Sequence, residues 1–211
     1  MRPTTLSTTT LSAAIGLAAA IGVAGTASAA HDRVPSPTVE RYVYSLDPVQ
    51  DASIPNSQAS GWTAITVLPN GNVKVQVEAT GLAPNLPHLM HLHDVLDGPS
   101  DCPAPTSGDV VTVLDGLPSY GPIQLGLDTQ VADADGTVSY SAQFPADTPI
   151  GDGTLADIAG FAQVVVHGID FNGDGEYAID PDDPFASQES SIVAGAPLEL
   201  TAPVLCGGVP N

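Results

Sequence analysis

Pro87-His88-Leu89-Met90-His91-Leu92-His93-Asp94 gathers three of the chain's five histidines within six positions, and Cys102 follows nine residues after His93. The flanking sequence is of β type, and successive side chains of a strand point to opposite faces with a rise of about 3.3 Å per residue. His91 and His93 therefore share a face, about 6–7 Å apart at Cα, so both imidazoles can reach one ion. His88 is out of phase with them. A further histidine, His167, follows the apolar run Val164-Val165-Val166. The pattern predicts a three-imidazole metal site of His91, His93 and His167, with His88 as a hydrogen-bonding support.

Outward from this stretch, turn residues cut the chain into short strands. Residues 41–46 read as a first strand. Residues 62–68 and 73–79 form a hairpin around Pro69-Asn70-Gly71, Asn-Gly being a strong turn signal. Val73, Val75 and Val77 alternate with Lys74, Gln76 and Glu78, which gives one buried and one wet face. Gly81-Leu82-Ala83-Pro84-Asn85 turns the chain into the histidine strand. Residues 110–114 read as a strand or an apolar loop packed on the core. Asp135-Gly136 is a turn before a strand over 137–144, residues 145–160 read as loop, and 161–169 as a buried strand carrying His167. A polar loop over about 170–191 follows, and residues 198–206 close the domain. No apolar run keeps helical spacing over three turns. Short strands punctuated by Gly and Pro predict an all-β sandwich or barrel over 39–211, preceded by an extended arm over 31–38.

Residues 1–30 read as an export signal: Arg2, an apolar segment from about Leu11 to Val23, and Ala27-Ser28-Ala29 as a cleavage pattern. The pattern directs cleavage near Ala29 or Ala30. Cleavage after Ala29 leaves Ala30 ahead of His31, so an amine–imidazole chelate at His31 is not expected. The segment is too interrupted by Ser, Gly and Thr to read as a transmembrane span, and no other stretch is apolar enough. About 180 residues remain, enough for one core. They carry Arg33, Arg41 and Lys74 against 24 acidic residues, a balance that disfavours nucleic acid and anionic membranes and keeps an exported protein soluble. Cys102 and Cys206 make an even count in an exported chain and are expected to pair. Their loop of about 100 residues makes the cross-link worth up to ~4–5 kcal/mol on the chain-entropy model.

With these residues in view, the chain resembles the copper/zinc superoxide dismutases. The shared features are Gly81-Leu82-x-Pro84, the H-x-x-H-x-H of His88, His91 and His93, the step to Cys102, Val165-Val166-His167, and Cys206-Gly207, in family order over about 60–208. The resemblance implies a Greek-key β-barrel of about eight strands, a Cys102–Cys206 disulfide, and one copper ion held by His91, His93 and His167. It also implies superoxide as a small-molecule substrate.

The departures from the family pattern carry equal weight. Residues 103–166 hold no histidine, so the zinc site is not expected, and Asp128 alone would not make one. The family's superoxide-orienting arginine, three residues before the second cysteine, is replaced by Pro203, and no Lys or Arg follows Lys74. The expectation is an exported, zinc-less dismutase-like copper protein of low rate. The competing reading is a non-catalytic copper-binding module, or an extracellular β domain of the CHRD type, which shares a short histidine-containing strand. Separately, Asp170-x-Asn172-x-Asp174-Gly175 matches the first half of an EF-hand calcium loop. The bidentate twelfth position is Pro181, which leaves a loose calcium site and an ordinary acidic loop as competing readings.

Overall fold

The computed structural model describes residues 38–95, 100–151 and 153–208. The expected export signal, His31 and the arm up to residue 37 lie outside the described residues. Eight strands form one antiparallel, nearly closed barrel: β1 Glu40–Pro48, β2 Ser60–Val67, β3 Val73–Thr80, β4 Pro87–His93, β5 Ile123–Val131, β6 Val138–Phe144, β7 Gln163–His167 and β8 Pro203–Gly207. Three short helices, α1 Val113–Tyr120, α2 Leu155–Ile158 and α3 Leu198–Thr201, lie in the connections. The strand order is β5-β4-β7-β8-β1-β2-β3-β6, so β5 and β6 flank the seam. Across that seam β4, β5 and β6 run consecutively and β7 returns beside β4, which is the Greek-key arrangement. The expected fold class is the one observed.

Period-two patterning decides which side chains enter the barrel. Val73, Val75, Val77 and Ala79 of β3 are fully buried, while Lys74, Gln76 and Glu78 between them remain partly solvated. Met90 and Leu92 of β4 and Val164 and Val166 of β7 join Leu46, Ile65 and Leu205 in the main core. The residues alternating with them must then face outward. Val165 packs outside the barrel with Val49, Val111, Tyr120 and Cys206, and Leu117 of α1 lies against this second cluster. The Cys102–Cys206 disulfide, with Cα atoms 5.7 Å apart, joins the loop after β4 to β8 in the same layer.

Four segments differ from the sequence-based expectation. Of the region expected as strand or core-packed loop over 110–114, residues 110–112 are loop with Val110 and Val111 packed on the core, and 113–114 already belong to α1, whose start is fixed by a capping box. Thr112 Oγ1 accepts from the Asp115 amide, and the Asp115 carboxylate accepts from the Thr112 amide and hydroxyl. Residues 123–131 form β5, for which the sequence pattern assigns no element. The loop expected over 145–160 contains α2, at whose start the Asp157 carboxylate accepts from the Thr154 amide and hydroxyl. The closing segment over 198–206 divides into α3 and β8 at Ala202. Among the described residues, no helix is long and apolar enough to cross a membrane.

Candidate metal centre

β4 and β7 are neighbours, with His91 opposite Val165 and Met90 opposite Val166. Because Met90 and Leu92 fill the barrel, His91 and His93 project from its outer face into the layer beneath α1. β7 shifts register against β8 between Val166 and His167, an irregularity of the kind that re-aims a side chain. The three rings converge. Centroids lie 5.6 Å apart for His91 and His93, 5.2 Å for His91 and His167, and 6.3 Å for His93 and His167. One nitrogen from each ring lies within 4.8 Å of the other two. Among the described residues this is the one group of three His, Cys, Asp or Glu side chains so arranged.

Backbone carbonyls define which nitrogen each ring presents. His93 Nδ1 is 2.8 Å from Gly121 O, and His167 Nδ1 is 2.8 Å from Thr201 O. A carbonyl only accepts, so each Nδ1 carries the proton and each Nε2 keeps its lone pair. Both Nε2 atoms, together with His91 Nδ1, are buried without a hydrogen-bond partner. Among the described residues only five buried polar side-chain atoms are in that condition, and three of them are these nitrogens. Leaving a buried polar atom unpaired costs about 1–3 kcal/mol, so three in one place mark a site built for something else to satisfy.

Burial keeps the rings neutral. Desolvation lowers the pKa of His91, and desolvation together with the neighbouring rings, against the raising effect of the Gly121 and Thr201 carbonyls, brings that of His93 to about 4 and that of His167 to about 3. Neutral imidazole is the metal-binding form, so no proton has to be displaced at pH 7. The residues present therefore suit a metal ion: two Nε2 and one Nδ1 donors, neutral, convergent and otherwise unsatisfied.

The supporting groups come from three connections. Gly121, at the C-terminal end of α1, has φ of +79°, and a Cβ there would collide with the Asp94 carbonyl. Only glycine lets its carbonyl reach His93. Tyr120 stands edge-on to His93, with ring centroids 4.5 Å apart, and donates its hydroxyl to Val113 O. Thr201 ends α3, and α3 is anchored by the buried Glu199 carboxylate, which accepts from the Phe171 and Ala178 amides. Burial raises the pKa of Glu199. Sequence reasoning had no route to Gly121 or Thr201, since each acts through its backbone carbonyl.

His88 stands apart from the cluster, as its phase predicts. It is fully buried, with Nδ1 3.0 Å from His167 O and Nε2 3.1 Å from Ala83 O. Both its nitrogens face backbone acceptors, and it braces the end of β7 that carries His167. Gly168 makes room for it, since a Cβ there would press on the Tyr177 hydroxyl and the His88 ring.

The other expected site residues are placed as follows. Asp170 is buried, and its carboxylate accepts from the amides of Gly173, Asp174 and Gly175 at 2.7, 3.2 and 2.9 Å. Asn172 Nδ2 donates to Asp174 Oδ2, and Asp174 Oδ1 accepts from the Glu176 amide. The loop's oxygens are thus largely engaged by the loop itself. Asp128 lies exposed on β5. Pro203 is buried in β8, where its carbonyl accepts from Gln50.

A cavity of about 230 Å³ opens over the three histidines, walled by Leu89, Val113, Leu117, Pro122, Ile123 and Ile192. Among the described residues no Lys or Arg lines it. No protein-family model matches the chain, and no curated protein matches it. The resemblance to the copper/zinc superoxide dismutases therefore stands on its motif residues alone.

Proposed function

We propose that this chain is an exported copper-binding protein on a superoxide-dismutase-like barrel, holding one ion through His91 Nδ1, His93 Nε2 and His167 Nε2 and lacking the zinc partner. The observation that carries the reading is the trio of buried, neutral, partnerless nitrogens within 4.8 Å. Imidazole suits several transition metals, and divalent copper outcompetes zinc for a given nitrogen site, which with the dismutase motif favours copper. The Cys102–Cys206 disulfide suits an oxidising compartment, as export would require.

Bound copper would supply one-electron chemistry, with superoxide as the donor in one half-reaction and the acceptor in the other. The chain's own part is to hold and shield. Gly121 and Thr201 fix the tautomers of His93 and His167, His88 braces β7, and the α1 residues wall the site from bulk water. Attraction of the anion is missing. Positive steering raises association 10–10³-fold, whereas this chain has a net charge of −20 and a cavity without cations. Turnover of superoxide is accordingly slow. The cation-free cavity also favours the second reading, a copper-binding module without turnover, for which a CHRD-like domain is the more distant precedent.

Metal analysis of the purified full chain tests the first step, with one copper per chain expected and copper lost in His91→Ala and His167→Ala. Superoxide consumption with and without added copper tests the second. Copper-dependent consumption abolished in both variants supports the enzyme, and copper without consumption supports the module. Wild-type chain that takes up no copper overturns both.

A further inference from the structure

The walls of the histidine cavity are aliphatic. Leu89, Val113, Leu117, Pro122, Ile123 and Ile192 form them, and among the described residues Thr201 is the one polar lining side chain other than histidine. The Thr201 hydroxyl is already engaged with Ser190 Oγ and Leu198 O. Among the described residues the unspent hydrogen-bonding capacity thus sits at the floor, where Nε2 of His93 and of His167 present lone pairs and His91 Nδ1 has no partner. At the mouth, Ile123 and Ile192 are about half exposed, at 51% and 49%.

In the metal-free chain a small hydrated anion gains little here: it would lose water against hydrocarbon and find no cation among the lining side chains. A neutral molecule with an apolar body and one hydroxyl fits both ends. Its O–H can donate to a histidine lone pair, or its oxygen can face a held ion, while the body lies along the aliphatic walls. Size sets the limit. An apolar cavity of about 150 Å³ accommodates benzene, and this one measures about 230 Å³. We infer that the cavity over His91, His93 and His167 binds a neutral, one-ring hydroxylated molecule of the phenol class, with its hydroxyl at the histidines and its ring against Leu117, Ile123 and Ile192.

The inference deepens the metal reading and rests on the same three histidines, but it draws on the cavity walls and not on the identity of the ion. Phenol and benzoate, which share a ring and differ in charge and donor, are the probes. Each is titrated into the metal-free and the copper-loaded full chain while the methyl resonances of Val113, Leu117, Ile123 and Ile192 are followed. Saturable phenol shifts at those methyls are expected, with benzoate at least tenfold weaker on the metal-free chain because its carboxylate would be buried unpaired. Ile123→Lys, at the half-exposed mouth, is expected to weaken phenol at least tenfold and to narrow or reverse the preference over benzoate. Absent phenol shifts, or benzoate binding as well as phenol to the metal-free wild type, overturns the inference. Phenol bound by a chain that takes no copper upholds the cavity and defeats the metal reading. Copper bound without phenol does the reverse.

Discussion

Two regions of this molecule carry metal-ligating residue types in suggestive spacing, and they differ in what their lone pairs are doing. In the 170–175 loop the Asp170 carboxylate takes three backbone amides, and Asn172 and Asp174 bond each other. In the histidine cluster each ring keeps one buried nitrogen with no protein partner. His88 sharpens the contrast within a single residue type. It belongs to the same motif, yet both its nitrogens face carbonyls and it acts as a brace. Residue type and spacing nominate ligands, and unspent lone pairs distinguish a ligand from a structural residue.

The largest expected effect comes from removing a ligand. His167→Ala should weaken copper binding by more than the roughly 10–100-fold that losing a supporting partner costs, while His88→Ala should chiefly lower thermal stability. Equilibrium dialysis against a copper buffer, beside thermal melts, checks both. Equal copper loss in the two variants would erase the distinction.

Next is pH. His93 and His167 titrate near 6.5 in the unfolded chain and near 4 and 3 in the folded one. Between those values the unfolded state binds more protons, so folding stability is complete above about 6.5 and falls as pH drops toward 4 and below. Each tenfold difference in proton affinity between the two states is worth about 1.4 kcal/mol. Denaturant unfolding of the metal-free chain from pH 7.5 to 4.5 should show this slope, and His93→Gln should flatten it.

Gly121→Ala should cost about 10–100-fold in copper affinity by displacing the carbonyl that orients His93. Smallest is Asp170→Asn, which keeps most of the loop's geometry but weakens charge-assisted bonds. About 1–2 kcal/mol of stability should be lost, with copper affinity unchanged. Added calcium should leave the wild-type melting temperature where it was. A calcium-dependent rise would show that the loop's oxygens are less committed than their hydrogen bonds imply.

The barrel class and the histidine trio are legible in the chain itself, and the exceptions have physical causes. The alternation of Val73, Val75 and Val77 and the spacing of His91 and His93 are period-two signals, which survive wherever one face is buried. β5 begins the same alternation in Ile123, Leu125 and Leu127, but Thr129 breaks it, and Ile123 and Val131 at its ends are exposed. α1 contains Gly116 and Pro118, both poor in a helix interior. It persists through its Thr112–Asp115 cap and through Tyr120, whose ring lies where a Cβ on Gly116 would sit. The carbonyls of Gly121 and Thr201 leave no mark in residue type. The aliphatic cavity is equally hidden, because its walls come from β4, α1, the start of β5 and the distant Ile192.

The most direct test of the central claim is nitrogen-15 NMR of the histidine rings in the full chain, before and after loading with monovalent copper, which is diamagnetic. His91 Nδ1, His93 Nε2 and His167 Nε2 should move together with one equivalent of metal, while Nδ1 of His93 and of His167 stays protonated and His88 is undisturbed. Loading that moves His88 instead, or that leaves those three nitrogens where they were, would contradict the account.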